Sequence, residues 1–410
     1  MFMSRALDGM TVVDLSHVLA APFCTMILAD LGASVIKVEP PIGDDSRAFG
    51  PFIAEKDDPD VKQSGYFVSI NRNKKSICVD LKTEKGKELL TELIEKADVV
   101  VENYRPTTMR KLGFGYDRLK EINPGVIYCS ICGFGHDALP EFASKPAYDM
   151  VAQAYSGLMS ITGPLGGPPV RVGSSVGDIV AGHQGAIGIL AALQYKQKTG
   201  RGQHVDISMV DGLVYILENA IVRYTGQGIL PQPLGSAHPT ITPFQGFETS
   251  DGSWVITPIG NDSLWAKFCV VIEREDLVDH ELYRTNGLRT QNKNTLIPIL
   301  EVEMKKRTSV EWLKLLDAAG LPNSPLNTID KVVTDPNLLH RNMIVEVDQP
   351  RIGSVTMAGS PFHLSETPGE VYSPAPGLGQ HTAEVLSELL GYGDAEIQGF
   401  YRDGIVKTVD

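Results

Sequence analysis

The sequence predicts an α/β protein with a Rossmann-like parallel layer and a second, smaller domain, and three observations carry that expectation. Up to about Lys198 the chain alternates short apolar runs with amphipathic stretches, the pattern of a parallel sheet covered by helices on both faces. After Gly226–Gly228 its character changes to a Pro-rich stretch, "ILPQPLGSAHPTITP", followed by hairpin and helix signals. The length of 410 residues also exceeds what one hydrophobic core usually serves.

Taken in order, "MTVVDLS" reads as the first strand, Pro22 to Leu31 as an apolar helix and "ASVIKVEPP" as the second strand. "KSICVDL" is a third strand, "TEKGKELLTELIEKA" a helix with apolar residues at helical spacing, and "DVVVENY" and "GVIYCSICGF" are the next two strands. A helix is expected from Asp178 to about Lys198, ended by "TGRGQ"; "HVDISM" is another strand, and Val210 to Tyr224 is again helical. In the second region "FETSDGSWVIT" reads as a hairpin turning at Asp251-Gly252, and helices follow at Ser263 to Ile272 and Asn292 to Lys306. Thr308 stands three residues before Glu311, the spacing of a capping box, and "AAGLPNSP" stops that helix with Gly and then Pro. "MIVEVDQPRIGSVTMAG" is a further hairpin and "LGQHTAEVLSELLGYG" a capped helix near the C-terminus. No internal repeat or low-complexity segment interrupts this pattern.

Composition narrows the partners. A formal charge of -13 argues against nucleic-acid or anionic-membrane binding, both of which need a basic surface. No apolar run reads as a bilayer span, and "MFMSRALDGM" has neither a signal-peptide core nor a transit pattern, so the protein is expected to stay where it is made. Five scattered cysteines suggest reduced thiols; "CSIC" has redox spacing but sits in a strand-like run, and no second Cys pair or His cluster at metal-ligand spacing accompanies it, so no metal is expected.

The turn after the first strand, "SHVLAAP", lacks the GxGxxG cradle for a dinucleotide, and no Gly-x-Ser-x-Gly elbow occurs. The residue that stands out is Asp178, between a Gly-Ser-rich run and a long small-residue apolar run. It can be read as a helix N-cap. It can also be read as an ionised carboxylate beside exposed N–H donors, placed to act as a nucleophile. Ala181, Gly182, Gly185, Ala186 and Gly188 fit either tight helix packing or close approach of a ligand. Arg72, Lys74 and Lys75, and Arg105, Arg110 and Lys111, are phosphate-binding candidates or solvated charges.

These segments, in this order, resemble the class III (CaiB/BaiF-type) CoA-transferases over nearly the whole chain. The run comprises Leu7 to Pro22, "LGASVIKVEPPIGDDSR", "NRNKKSI", "DVVVENYRPTTMRKLGFGY", "NPGVIYCSICGFG", "AYDMVAQAYSGLMSITG", the Asp178 segment, "KTGRGQHVDISM", "GSAHPTITPF" and "LGQHT". The resemblance implies that Asp178, in Gly177-Asp178, is a covalent nucleophile, and that coenzyme A meets His17, Leu19, Ala20, Val79, Asp80, Leu81, Lys82, Asn103, Tyr104, Arg105 and Lys111. It places Tyr148 beside the active site and brings Gly235 and His238 from the small domain. It implies a Rossmann-like large domain built from both chain ends (1–225 and 331–410), a small α+β domain (226–330), and an interlocked homodimer.

The implied activity is transfer of CoA from succinyl-CoA or acetyl-CoA to a free carboxylic acid, a dicarboxylate. The CoA thioester is a substrate, no cofactor is permanently bound, and the location is the cytoplasm, or the mitochondrial matrix in a eukaryote. Arg171 and Arg47 are candidates for the distal carboxylate. The formyl-CoA:oxalate members carry Gln where Leu19 stands and a Gly-rich lid before "GSWVITPIGND", and this chain has neither. Two rival readings remain. An α-methylacyl-CoA racemase would need His in place of Tyr148 as its base, and a non-catalytic subunit of a heteromeric transferase would be expected to lack Asp178.

Overall fold

A seven-stranded sheet organises the larger part of the protein. The computed structural model describes residues 5–56, 58–143 and 145–408; residues 1–4, part of the stretch read above for a targeting signal, lie outside them. The strands are β1 (Thr11–Asp14), β2 (Ser34–Glu39), β3 (Lys74–Val79), β4 (Val99–Glu102), β5 (Ile127–Cys132), β6 (His204–Ser208) and β7 (Val406–Lys407). Their spatial order is β7-β3-β2-β1-β4-β5-β6; β1 to β6 are parallel and β7 pairs antiparallel with β3. The order of the six parallel strands reverses between β1 and β4, and at such a reversal the loops leaving the strands' carboxyl ends part to leave a crevice.

The strand sequences explain their place. Val12, Val35, Val99, Val101, Ile127 and Cys129 face one apolar layer, and Val13, Ile36, Val100 and Tyr128 face the other, so the central strands are buried on both sides. The first layer is filled by α1 (Ala20–Asp30) and α5 (Val176–Thr199), the second by Leu89, Leu90, Leu93 and Ile94 of α3 (Glu84–Lys96), whose first turn is capped by Thr83. Short helices α2 (Gly65–Ile70), α4 (Asp149–Tyr155) and α6 (Met209–Tyr215) complete the parts used below. "CSIC" is indeed strand β5, and its cysteines, like the other three, are free thiols.

Three expectations change. The helix expected over Val210–Tyr224 is two, Met209–Tyr215 and Ala220–Gln227, parted where Glu218 takes a positive φ of 55°. The capped helix after Gly379 is one turn, Thr382–Glu384, running into a wider-wound turn at Val385–Leu389, and an unforeseen helix, Asp394–Arg402, leads into β7. Finally, α5 is long and apolar enough to cross a membrane by length and composition. Its small residues instead lie in the core: a Cβ on Gly182 would stand 2.8 Å from the Ala20 carbonyl oxygen of α1, so the two helices meet backbone to backbone.

The chain divides into two compact units. One comprises Met1–Leu158, Val172–Ile221 and Pro336–Asp410 and holds the sheet; the other comprises Met159–Arg171 and Val222–Asp335. The second unit is α+β. Its strands Phe244–Glu248 and Trp254–Pro258 form the expected hairpin around Asp251-Gly252, and its helices include Asp262–Val271, Lys293–Met304 and Ser309–Ala318, the last with the Thr308–Glu311 capping box. Trp265, Phe268 and Trp312 centre its core.

In the first unit, a buried charge network shapes the chain where it leaves β1. Lys74 Nζ lies 3.2 Å from Asp14 Oδ2, and Lys37 Nζ lies 2.8 Å from Asp44 Oδ2 and donates to the Ser16 carbonyl at 2.7 Å. Asp14 also accepts the Ser16 N–H and the hydroxyls of Ser16 and Thr25. Burial alone would raise the Asp14 carboxyl; Lys74, Lys37 and these donors outweigh it and hold the group below its usual range. Arg72 and Lys74 are therefore not phosphate ligands. Arg72 pairs with buried Asp30 at 2.7 Å and Lys74 with Asp14, while Lys75 pairs with Glu384 at 2.6 Å.

Replacing Lys37 with Met should destabilise the protein by about 3–5 kcal/mol in urea unfolding, because Asp44 is left as a buried charge without its cation. Gly182→Val should cost about 1–3 kcal/mol in the same measurement, by forcing α1 and α5 apart.

Candidate active site

The turn between β1 and α1 is built in a conformation that its residues would not choose alone. Val18 has φ of +64°, a region that β-branched residues avoid. Three sets of hydrogen bonds hold it there. Asp44 Oδ1 accepts the Val18 N–H at 3.1 Å, Lys37 fixes the Ser16 carbonyl, and Asn103 grips His17 from both sides, accepting its N–H at 2.9 Å and donating to its carbonyl at 2.8 Å. Asn103 follows β4, so this clasp joins the two strands that flank the reversal in strand order. The His17 and Tyr104 rings lie 5.4 Å apart. Burial pushes His17 down, toward the neutral imidazole, and pushes the Tyr104 hydroxyl up, so both enter the site uncharged. A cavity of about 210 Å³ opens here, lined by His17, Pro40, Ile42, Asp44 and Tyr104 among others.

Asp178 approaches the same edge from above α1. Helices α1 and α5 both begin at the carboxyl end of the sheet: α5 starts beside α1 at Gly182 and reaches the amino end of β4, where Lys196 pairs with Asp98 at 2.7 Å. Asp178 stands one turn before Gly182, about 6 Å along the axis. It is not the N-cap. Ser175 occupies that position, Asp178 is the third helical residue, and its half-buried carboxyl makes no hydrogen bond among the described residues. The loop before it is tied instead by Asp149 and Gln153 of α4. Asp149 Oδ1 accepts the Gly177 N–H at 2.8 Å, Gln153 Nε2 donates to Asp149 Oδ2 at 2.7 Å, and Gln153 Oε1 accepts the Val172 N–H at 2.9 Å. Gly177 permits this approach, since a Cβ there would lie 3.1 Å from Asp149 Oδ1.

Burial, with the negative charge of Asp149 adding to it, pushes the Asp178 carboxyl up to about 7. Tyr66 of α2, packed with Leu19, Val18 and Phe23, is raised to about 12 by burial first and then by Asp178, Asp44 and Asp149. Chemically the site offers a carboxylate without a hydrogen bond among the described residues, a helix N-terminus and a phenol.

Of the residues named from the sequence, the structure brings His17, Leu19, Ala20, Asn103 and Tyr104 together at β1 and β4, with Asp178 on the neighbouring helix. Leu19 and Ala20 are buried, so they present backbone rather than side chain. Val79 to Lys82 leave β3 two strands away, at the same carboxyl edge. Val79 is paired to Val406, the Asp80 N–H donates to Ile405, Asp80 Oδ1 accepts the Lys82 N–H, Leu81 packs on the second apolar layer, and Lys82 is exposed. Arg105 and Lys111 are exposed beyond β4. Tyr148 is 77% exposed at the start of α4.

Gly235 and His238 belong to the second unit. The Gly235 N–H donates to the Gly163 carbonyl at 2.8 Å, and His238 Nδ1 accepts the Thr240 N–H at 3.2 Å. Arg171 is also in that unit, exposed. Arg47 is committed elsewhere, forked onto Glu39 at 2.8 and 2.7 Å and laid over the Phe67 ring, which makes it a structural residue. Sequence reading missed Asp149 and Tyr66. The only signal for Asp149 was its place four residues before Gln153 in "YDMVAQ". Among the described residues no group of three or more His, Cys, Asp or Glu could hold a metal ion.

A family model described as CoA-transferase family III matches residues 7–382. Succinyl-CoA:glutarate CoA-transferase from Homo sapiens is 38% identical over 404 residues, covering 98% of this chain and 90% of that one. Succinyl-CoA:mesaconate CoA-transferase from Haloarcula hispanica is 40% identical over 394 residues, covering 93% and 96%. The crystal structure of a CAIB/BAIF family protein from Brucella suis matches with a TM-score of 0.82 at 36% identity, covering 94% of this chain and 99% of that one. A family match over nearly the whole length, on a sheet whose crevice gathers His17, Asn103 and Tyr104 beneath Asp178, makes this chain a member of the CoA-transferase family III.

Proposed function

We propose that the protein transfers CoA from succinyl-CoA or acetyl-CoA to a free dicarboxylate, with Asp178 as the covalent relay. The observation that carries this reading is the Asp178 carboxyl itself: half-buried at a helix start, bonded to nothing among the described residues, and one turn from the β1–α1 turn. A structural carboxylate so placed would cap the helix; this one does not. The relatives named for transfer between succinyl-CoA and glutarate or mesaconate support the substrate class.

The exchange balances in four steps. The Asp178 carboxylate attacks the thioester carbonyl, the C–S bond breaks, and a mixed anhydride and CoA thiolate result. The thiolate attacks the aspartyl carbonyl, expelling the donor acid and leaving an aspartyl-CoA thioester. The acceptor carboxylate attacks that thioester to form a second anhydride and free thiolate again. The thiolate then takes the acceptor's acyl carbon and restores Asp178. Dividing the exchange in this way replaces one difficult displacement by easier ones. Backbone N–H groups at the start of α5 are placed to stabilise the oxyanions. His17, Leu19, Ala20, Asn103, Tyr104 and the exposed Arg105 and Lys111 hold CoA along the carboxyl edge, with Val79 to Lys82 at its far end.

A homodimer is part of the proposal. Tyr148, Met150, Tyr155, Ile187 and Tyr215 of the first unit are large apolar side chains 52–84% exposed in the single chain, and a second copy wound through the first would cover them. A racemase is disfavoured because the position needing a histidine base is Tyr148.

Asp178→Ala should abolish transfer from succinyl-CoA to glutarate while CoA still binds, and wild-type protein quenched during turnover should carry a CoA-sized mass on the peptide containing Asp178. Transfer at wild-type rate by the variant would overturn the proposal. Since the attacking form is the anion, kcat/KM should rise with pH through about 7. Asp149→Asn removes a negative neighbour and should move that rise to lower pH, measured as the midpoint of the pH–rate profile.

A further inference from the structure

The buried acids at the carboxyl edge of the sheet fall into two kinds. Asp14, Glu39 and Asp44 each face a cation: Lys74, Arg47 and Lys37. Glu102, the last residue of β4 and 1% exposed, faces no lysine or arginine within ion-pair distance among the described residues. Its Oε2 accepts the Tyr104 N–H at 2.6 Å and its Oε1 accepts the Tyr128 hydroxyl at 2.8 Å. A further neighbour of Oε1 is His136 Nε2, 3.6 Å away, and that nitrogen is sealed from solvent without a hydrogen-bond partner among the described residues. From β6, Asp206 accepts the N–H groups of His136 and Asp137, and His204 bonds Ser130 of β5 at 2.7 Å.

The segment that Glu102 holds is Asn103–Tyr104, the clasp on His17. An acid in this position, without a cation, keeps company with Asp206 only while a proton compensates its charge, and the unpartnered Nε2 of His136 is where that proton can be shared. We propose that Glu102 is a positioning residue for coenzyme A, orienting Asn103 and Tyr104, and that a proton shared with His136 sets how firmly it does so; this rests on the coenzyme A reading above. The titrating and charged groups that face the pair are Tyr104 after β4, Tyr128, Cys129 and Cys132 from β5, Asp206 and His204 from β6, and Arg110 near His136. Burial, followed by Asp206, pushes Glu102 up to about 7, against the pull of its hydrogen bonds from Tyr128 and Tyr104. Burial also lowers His136, so the shared proton resides on the carboxyl side. As pH rises past this range the proton leaves, the carboxylate and Asp206 repel, and the clasp loosens. Affinity for CoA should fall.

The test is binding of CoA itself to the full-length protein by calorimetry at pH 6 and pH 8, with steady-state kinetics alongside. Glu102→Gln mimics the protonated acid, because its amide can donate to His136 Nε2. Titration of CoA's own phosphate is common to both proteins, so relative to this variant the wild type should lose about threefold or more in affinity between the two pH values. The KM for succinyl-CoA should follow that loss while kcat stays within about twofold. Glu102→Ala leaves the Tyr104 N–H without its acceptor and should weaken CoA binding about tenfold at both pH values.

A pH response in Glu102→Gln equal to that of the wild type overturns the proposal, as does undiminished CoA binding by Glu102→Ala. If Glu102→Ala does not fold, the near-isosteric Gln variant decides alone, and a merely structural glutamate would not flatten the pH response. Asn103→Ala separates the two readings. If it binds CoA like the wild type, the coenzyme A site has been misplaced; if it binds weakly while Glu102→Gln keeps the pH response, the positioning role alone fails.

Discussion

The candidate site depends on a buried ionic network that forces one valine into a left-handed conformation. Val18 at φ of +64° is unfavourable by itself, and its orientation sets where the backbone of Ser16 to Ala20 faces the crevice. The Lys37–Asp44 and Lys74–Asp14 pairs hold it there, each almost without solvent exposure. Charges so deeply placed add little net stability compared with apolar residues of the same shape, because desolvation offsets their attraction. What they supply is direction. A lysine ammonium that must satisfy both Asp44 and the Ser16 carbonyl allows the turn few alternatives, and an apolar core would not discriminate among them. The network draws its members from β1, β2, β3 and the loop after β2, so the shape of the turn is tied to the register of these three adjacent strands.

On that turn rests the placement of Asp178. α1 and α5 start side by side because Gly182 lets their backbones meet, and their aligned N-termini bring two helix dipoles to one edge of the sheet. These positive ends favour an anion at Asp178, whereas burial and Asp149 disfavour it. Asp149 is itself committed to the Gly177 N–H and to Gln153, so it fixes the start of α5 and perturbs Asp178 in the same act.

Much of this was legible in the sequence, for identifiable reasons. Strands β1, β2 and β4 carry buried runs of β-branched residues, and the helices α3 and Ser309–Ala318 announce themselves by apolar spacing and by Thr caps. What was misread depends on tertiary partners. Arg72 and Lys74 look like a basic patch along the chain, yet each folds inward to a single acid 42 to 60 residues earlier. Arg47 was equally plausible as a substrate ligand until Glu39 claimed two of its three guanidinium nitrogens. The small residues of α5, open to two readings, pack helix against helix at Gly182, and the reading of Asp178 as a cap failed because Ser175 begins the helix three residues earlier. Asp149 could not be found by pattern, since its importance lies in a hydrogen bond spanning 28 residues.

The raised carboxyl of Asp178 fits the exchange proposed for it in a way that an ordinary aspartate would not. A carboxylate of higher basicity is a stronger nucleophile toward a thioester, which favours the first step at pH values where it is ionised. The anhydride that follows has two carbonyls that the thiolate can attack. Attack on the acyl side expels Asp178 and returns the donor thioester, an unproductive reversal; attack on the aspartyl side expels the free acid. A small dicarboxylate in water keeps a pKa of about 4, near that of an ordinary carboxylic acid side chain. With Asp178 held near 7, the dicarboxylate is the weaker base and therefore the better leaving group. In the proposed exchange, the same burial that makes Asp178 reluctant to ionise would thus favour the aspartyl-CoA thioester over the donor anhydride and, by the same comparison, over the acceptor anhydride. Asp149, by adding to that reluctance, would raise the share of aspartyl-CoA during turnover without touching the thioester.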